Sequence, residues 1–384
     1  MLEQTLDWAA INSGTGNMAG LETIAGKLAD AFSSLPGKIE LLAADPVEAI
    51  LPDGATTDIK RGRNLHLTVR SAAPVQLLLT GHMDTVFPAD HPFQHIAHLD
   101  DGRINGPGVA DMKGGIAIML AALTALERSP LRDRVGYEVV INSDEETGSH
   151  GSAGLIERAA KGKVAALTYE PAARPDGLLA GARPGSGNFS IVITGRSAHA
   201  GRNPEDGRNA ILAAADLALR LAKAAGPRLT VNPAKIDGGG PNNVVPDHAV
   251  LRVNLRPTGP EDELRAKSHI DAAIAIVASE HKVHIHLHGS FARPPKPLTP
   301  NAERLFELVR DCGEVIGQTI AWAPSGGVCD GNNIAATGVP VVDTMGVRGG
   351  AIHSGEEFLI VESLAERARL STLVLLALAE RGRA

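Results

Sequence analysis

The stretch "VQLLLTGHMDTVFP", residues 75–88, decides the fold. Its first half is an almost unbroken apolar run, the signature of a strand covered on both faces. Such strands belong to parallel sheets, whose carboxyl ends are where ligands gather. This strand ends on a histidine and an aspartate two residues apart, His82 and Asp84. On extended backbone, residues i and i+2 point the same way, so an imidazole and a carboxylate leave the strand together. The stretch therefore implies an α/β domain with a polar site at its strand ends.

Working outward, "IELLAA" (39–44), "LHLTVR" (65–70), "YEVVINSDEE" (137–146) and "VAALTYEP" (164–171) read as further strands. Helical spacing covers residues 21–34, 114–127 ("GGIAIMLAALTALE") and 151–160 ("GSAGLIERAA"). Alternating strands and helices predict a mostly parallel sheet with helices on both faces. Near residue 177 the pattern changes. "NFSIVITG" (188–195) and "VLRVNLRP" (250–257) alternate more, with a helix at 206–223 between them and another at 260–280 leading to "KVHIHLHG" (282–289). Two strand–helix–strand blocks in tandem outline a small α+β sandwich. The loop "SFARPPKPLTP" (290–300) leads back to a helix at 301–316, the strand "PVVDT" (340–344) and a last helix at 361–382. The reading is an α/β domain of residues 1–176 and 292–384, interrupted by a smaller domain of residues 177–291. No internal repeat or low-complexity tract interrupts this pattern.

The bulk properties narrow the function. A chain of 384 residues is comfortable for two domains. A net charge of −7 without a long basic run speaks against nucleic acid as a partner. The longest apolar run, "IAIMLAALTAL", falls short of the roughly 18–20 residues that span a bilayer, so no membrane contact is expected. "MLEQTLDWAAINSG" lacks the basic and apolar regions of a secretory signal, so a cytoplasmic location is expected. The two cysteines, Cys312 and Cys329, form neither a disulfide framework nor a zinc-finger spacing.

Metal-type ligands recur at the ends of the apolar strands or in the loops after them. They are His82 and Asp84; Asp111 in "GPGVADMKGG"; Glu145 and Glu146 in "NSDEETGSHGS"; Glu170 in "TYEP"; and His353 in "GAIHSGEEF". A lone His or Asp at a strand end is usually a capping or turn residue. The joint appearance of five such clusters is hard to assign to chance. Two imidazoles with several carboxylates suit zinc, and also cobalt or manganese. Two ions side by side would need a carboxylate between them. His82 can ligate through one ring nitrogen while Asp84 accepts a hydrogen bond from the other, fixing the tautomer. Glu145 and Glu146 diverge, so one can ligate while the other faces a water.

The ordered set "GHMDTV … GPGVADMKGG … DEETGSHGS … YEP … SAHAG … NVVP … GG-CD … HSGEE" resembles the dizinc metallopeptidases of the carboxypeptidase G type. That family also holds acetylornithine deacetylase, succinyl-diaminopimelate desuccinylase and the aminoacylases. The resemblance runs from about residue 75 to the C-terminus and is strongest to the glutamate carboxypeptidase branch, through "SGGVCDGNNIAATGVPVVDTMG". It implies a zinc exopeptidase-like domain holding two Zn2+ per subunit. Asp111 would bridge the ions, His82 and Glu170 would complete one shell, and Glu146 and His353 the other. Asp84 would orient His82, and Glu145 would be the general base. The family commonly has a cis peptide after the bridging aspartate, here Asp111–Met112. Many relatives carry Asp where this chain has Met112, a position that is not a ligand.

In the inserted domain the resemblance makes His199 of "SAHAG" the histidine that reaches a substrate in the partner subunit's site, which implies a homodimer joined through that domain. Asn243 and Arg256 match residues that hold the substrate's carboxylate, and backbone groups of Ser325, Gly326 and Gly327 would line the same pocket. From the residues alone His199 reads either as a solvated loop histidine or as a functional one, and Arg256 equally as an exposed strand charge or a substrate contact.

The implied reaction is hydrolysis of the amide bond to a C-terminal amino acid with a free carboxylate, on a peptide or N-acyl amino acid. A biosynthetic deacylase of the acetylornithine or succinyl-diaminopimelate type is the alternative, and a non-catalytic metal-binding scaffold a further one. Arg348 and Arg183 are candidates to read a side-chain carboxylate. His284, His286 and His288 share a strand face and read as its wet side; His91, His95 and His98 lack ligand spacing; Cys329 reads as a packed thiol.

Overall fold

The strand formed by residues 75–82 packs both faces. Leu77 and Leu79 join one apolar layer, while Leu78 joins another on the opposite side. The computed structural model describes residues 1–383. Contacts divide the chain into two units, residues 1–46, 60–182 and 297–384 in the first, and residues 47–59 and 183–296 in the second.

In the first unit, β1 (Lys38–Leu42), β2 (Asn64–Val69), β3 (Val75–His82), β4 (Val135–Asn142) and β5 (Ala165–Thr168) form one sheet. The second unit contributes β6 (Ser186–Thr194), β7 (Leu229–Gly238), β8 (His248–Pro257) and β9 (His284–Arg293) to a sheet of its own. After the chain returns, β10 (Val341–Val342) completes the first sheet, in the order β1-β2-β4-β3-β5-β10. The pairings among β4, β3, β5 and β10 are parallel, whereas β1–β2 and β2–β4 are antiparallel. The sheet is thus mixed, and its parallel half carries the polar strand ends.

Helices cover both faces, as continuous apolar strands require. On one side lie α1 (Leu2–Ala9), α2 (Met18–Phe32), α3 (Gly114–Glu127), α7 (Pro300–Val315) and α9 (Glu362–Arg381). On the other lie α4 (Ala153–Ala160) and α8 (Asp330–Ala336). The stretch Val109–Glu127 is long and apolar enough to cross a bilayer, yet it is mostly buried as a core helix. Asn17 and Thr299 cap α2 and α7 by accepting the amide hydrogens of Gly20 and Ala302.

The second unit is a four-stranded antiparallel sheet in the order β7-β8-β6-β9, packed against α5 (Ala210–Ala222) and α6 (Pro260–His281). Strand β7 was not legible because Pro233 interrupts it; as an edge strand it tolerates a proline, which has no N–H to donate. Residues 47–59, assigned by sequence to the first domain, form a hairpin within the second unit. Arg252 fixes that hairpin by donating from Nη2 to the Ile50 carbonyl at 2.8 Å.

Candidate metal centre

Strands β4, β3 and β5 lie side by side and run in one direction, so their carboxyl ends meet. His82 closes β3 opposite Asn142, the last residue of β4. Three residues beyond Asn142 the chain enters the short turn Glu145–Thr147, and two residues beyond β5 stands Glu170. The remaining groups arrive on loops. Asp111 precedes α3, whose second residue, Gly115, crosses β5's exit so closely that a Cβ there would lie 2.0 Å from the Tyr169 carbonyl oxygen. Only glycine lets Asp111 approach Glu170 along this path. His353 enters from a loop in the left-handed region, at φ 63°. The Asp111–Met112 peptide is cis.

The side chains form two overlapping groups. Ligand atoms of His82, Glu145 and Glu170 lie within 4.8 Å of one another, as do those of His82, Asp111 and Glu146. Asp111 sits between two imidazoles: Oδ1 is 3.1 Å from His82 Nε2, and Oδ2 is 3.3 Å from His353 Nε2. His82 Nε2 is also 3.6 Å from Glu170 Oε2, and His353 Nε2 is 3.1 Å from Glu146 Oε2. Asp111 therefore presents one oxygen to each side.

The charges in the cluster act strongly on one another. Burial pushes the carboxyls of Glu146 and Glu170 up to about 8, and the neighbouring Asp111 carboxylate adds to this. Asp111 itself is held well below the usual range: burial opposes this, but His353 and His82 outweigh it. Contacts with Asp111 and then Glu146 raise His353 to about 11. Burial works against charge on His82, yet Glu170, Asp111 and Asp84 hold its pKa well above normal. One oxygen of Glu170, Oε1, is buried without a hydrogen-bond partner. Converging carboxylates, two imidazoles and an orphaned buried acceptor fit divalent cations.

Asp84 supports this arrangement differently from expectation. The nearest acceptor to His82 Nδ1 is the Asp84 backbone carbonyl at 3.0 Å, with its carboxylate at 3.4 Å. The carboxylate instead accepts the amide hydrogens of Glu145 at 3.1 Å and Glu146 at 3.2 Å, and the Thr15 hydroxyl at 2.7 Å. It therefore holds the turn from which the two glutamates diverge.

Glu357 is a residue the sequence reading missed. It is buried, and its carboxylate accepts from the backbone amides of Gly108 (3.1 Å), Ala110 (3.0 Å) and Asp111 (3.1 Å). It stands four residues after His353 and so ties the segment carrying that imidazole to the segment carrying Asp111. Its signal was parity: Glu357 shares a strand face with buried Leu359, whereas Glu356 is exposed.

The other expected residues are carried by further elements of the chain. Ser325, Gly326 and Gly327 lie in a loop before α8, the serine half-buried and the glycines exposed, anchored by the Ser325 amide donating to the Ala182 carbonyl at 2.9 Å. Arg348 faces Glu362 (2.7 Å) and Glu366 (3.3 Å) on α9, which argues against its reading a substrate side chain. Arg183 is buried and pairs through its backbone with Lys296. Cys329 is a buried thiol at the start of α8. His284, His286 and His288 are exposed on the edge strand β9.

In the second unit, His199 and Asn243 are neighbours. Residues 195–200 pair with 243–247 beyond the Thr194–His248 end of the β6–β8 ladder, and the Ala200 amide donates to the Asn243 carbonyl at 2.9 Å. His199 Nδ1 accepts from the amides of Gly201 (3.1 Å) and Arg202 (3.2 Å), which puts the ring proton on Nε2. Arg256 occupies the other end of β8, where Gly185 bonds to Pro257, and donates from Nε to Asn254 Oδ1 at 3.1 Å. The eight steps from His248 to Arg256 separate the two ends by about 26 Å.

Comparison with known proteins agrees with this geometry. Residues 78–377 match the model of peptidase family M20/M25/M40. The chain is 30% identical over 322 residues to carboxypeptidase G2 of Pseudomonas sp. (strain RS-16), covering 80% of this chain and 74% of that one. It is 28% identical over 336 residues to a succinyl-diaminopimelate desuccinylase of Psychrobacter arcticus, covering 82% and 80%. A tripeptidase structure from Staphylococcus aureus superposes with a TM-score of 0.76 at 25% identity, over 99% of this chain and 98% of that one. The chain belongs to peptidase family M20/M25/M40 and is a metal-dependent hydrolase of amide bonds.

Proposed function

We propose that the protein uses two zinc ions to cleave the amide bond between an acyl or peptidyl group and a terminal amino acid whose α-carboxylate is free. The observation that carries this reading is Asp111, one oxygen toward His82 and the other toward His353, with Glu145 beside the first group. His82, Asp111 and Glu170 would hold one ion, and Asp111, Glu146 and His353 the other. When bound, the ions polarise the amide carbonyl and make the attacking water acidic near neutral pH.

The chain's own residues do the rest. Glu145 accepts the water's proton and returns it to the leaving nitrogen, so one carboxylate serves as base and then acid. Asp84 keeps Glu145 aimed by holding its backbone amide. His199, protonated on Nε2, donates to the oxyanion that forms at the carbonyl carbon. Arg256 and Asn243 recognise the substrate's carboxylate. Because His199 and Asn243 lie at the opposite end of β8 from Arg256, one chain cannot bring all three to one substrate. This supports a homodimer in which His199 and Asn243 serve the partner's centre.

The test is Glu145→Gln. Both ions should remain while the rate falls ~10²–10⁴-fold, the range for a removed acid–base group. Near-full activity with two ions bound would refute the role. Mixing inactive Glu145→Gln with inactive His199→Ala subunits should restore activity in heterodimers; no recovery after demonstrated exchange would refute action across subunits. The 28% identity to a desuccinylase keeps an N-succinyl or N-acetyl amino acid as the second substrate class, separated from C-terminal peptides by a direct substrate screen.

A further inference from the structure

The centre occupies the carboxyl ends of β3, β4 and β5. At the opposite edge of the same sheet lies a cavity of about 770 Å3, lined by Lys163, Arg304, Arg381 and Arg383 together with Val164, Asn301, Gly338 and Pro340. Val164 and Pro340 immediately precede β5 and β10, so the cavity faces the amino ends of the strands. From Val164 to Glu170 the chain runs six steps, roughly 20 Å of extended backbone.

Among the described residues, four cations and no carboxylate side chain line this cavity, in a chain whose net charge is −7. Lys163 is committed, its ammonium 2.6 Å from Glu138 Oε1. Among the described residues no carboxylate lies within ion-pair distance of Arg304, Arg381 or Arg383; Arg304 contacts only the Asn301 side chain. Three arginines thus line one cavity, with no carboxylate side chain among the described residues that line it. The amino end of the sixteen-residue helix α7 opens on the same cavity through Asn301 and Arg304, adding the positive end of its dipole. The carboxyl end of α9 supplies Arg381, with Arg383 just beyond.

We propose that this cavity is an anion site for a phosphorylated small molecule of nucleotide size, separate from the metal centre. Guanidinium groups present paired N–H donors that match the oxygens of a phosphate. One arginine suffices for a lone carboxylate; three arginines lining one cavity suit the higher charge of a phosphate dianion. The volume lies within the roughly 300–1,000 Å3 of small-molecule sites and exceeds what a bare ion fills.

The experiment is calorimetric titration of the metal-loaded enzyme at fixed ionic strength with adenosine 5′-monophosphate, inorganic phosphate and adenosine. Both phosphate-bearing probes should bind and adenosine should not. The double variant Arg304→Ala/Arg381→Ala, which removes two exposed side chains, should bind the mononucleotide at least tenfold more weakly with metal content and amide hydrolysis unchanged. Equal binding by the double variant would overturn the proposal, because the phosphate would then sit at the metals or elsewhere. Failure of the wild-type enzyme to bind either phosphate probe at millimolar concentration would overturn it too. Loss of hydrolysis by Glu145→Gln bears only on the amide reaction and leaves this site untouched.

Discussion

Replacing Glu357 by Gln tests whether the two halves of the centre are held as one piece. The carboxylate accepts three backbone amides at 3.0–3.1 Å inside the protein. A carboxamide keeps one oxygen, enough for Ala110 and Asp111, but sets an NH2 group against the Gly108 amide. The change thus removes one charge-assisted bond and leaves a buried donor facing a donor, a cost of about 1–3 kcal/mol. It falls on residues 108–111, which end at the carboxylate placed between the two imidazoles. If the cost is borne by the metal-holding arrangement, affinity for the weaker ion should drop roughly 5- to 150-fold. Competition against a zinc-binding dye measures both affinities directly, and thermal unfolding of the metal-free protein measures any general loss of stability. Affinities within twofold of wild type for both ions would refute the reasoning. So would a loss of stability in the metal-free protein large enough to account for the whole effect.

Three further outcomes follow from the same geometry. Gly115→Ala places a Cβ against the Tyr169 carbonyl and should destabilise the protein by about 1–3 kcal/mol in denaturant titration; an unchanged midpoint would mean that α3 can shift away at no cost. Glu138 is held below the usual carboxyl range, because His66 and Lys163 outweigh the opposing effect of burial. Its contribution is therefore present above the unfolded pKa near ~4.3 and lost as pH falls through the lower folded value, so Glu138→Gln should cost about 1 kcal/mol at pH 7 and nothing in stronger acid. An equal deficit at both pH values would contradict this. Arg256→Ala should mainly raise KM for substrates with a free α-carboxylate; an equal effect on an amidated analogue would remove Arg256 from carboxylate recognition.

Much of the centre was legible because it follows from strand direction. An apolar run ending in His82, another ending before Glu145 and Glu146, and a third before Glu170 can be read one at a time, and parallel pairing then brings their ends together. Asp111 and His353 were legible only as members of an ordered set, since both ride on loops whose paths depend on close packing such as that at Gly115. Glu357 escaped because its work is done on backbone amides, which leave no mark in side-chain spacing. The hairpin at residues 47–59 escaped because nothing local says which sheet it will join, and β7 because an edge strand can carry the proline that would exclude a central one. Asp84 makes more contacts than its spacing from His82 suggests. It faces His82 chiefly through its carbonyl, and its carboxylate holds the Glu145–Glu146 turn.

The central claim is that Asp111 lies between two cations in one cleft. Metal content per chain, measured by mass spectrometry on wild-type protein and on Asp111→Asn after dialysis against zinc, tests it most directly. Two ions per wild-type chain, with at least one lost in the variant, is the predicted result. A wild-type chain that retains only a single ion, or an Asp111→Asn chain that still holds both as tightly, would contradict the account.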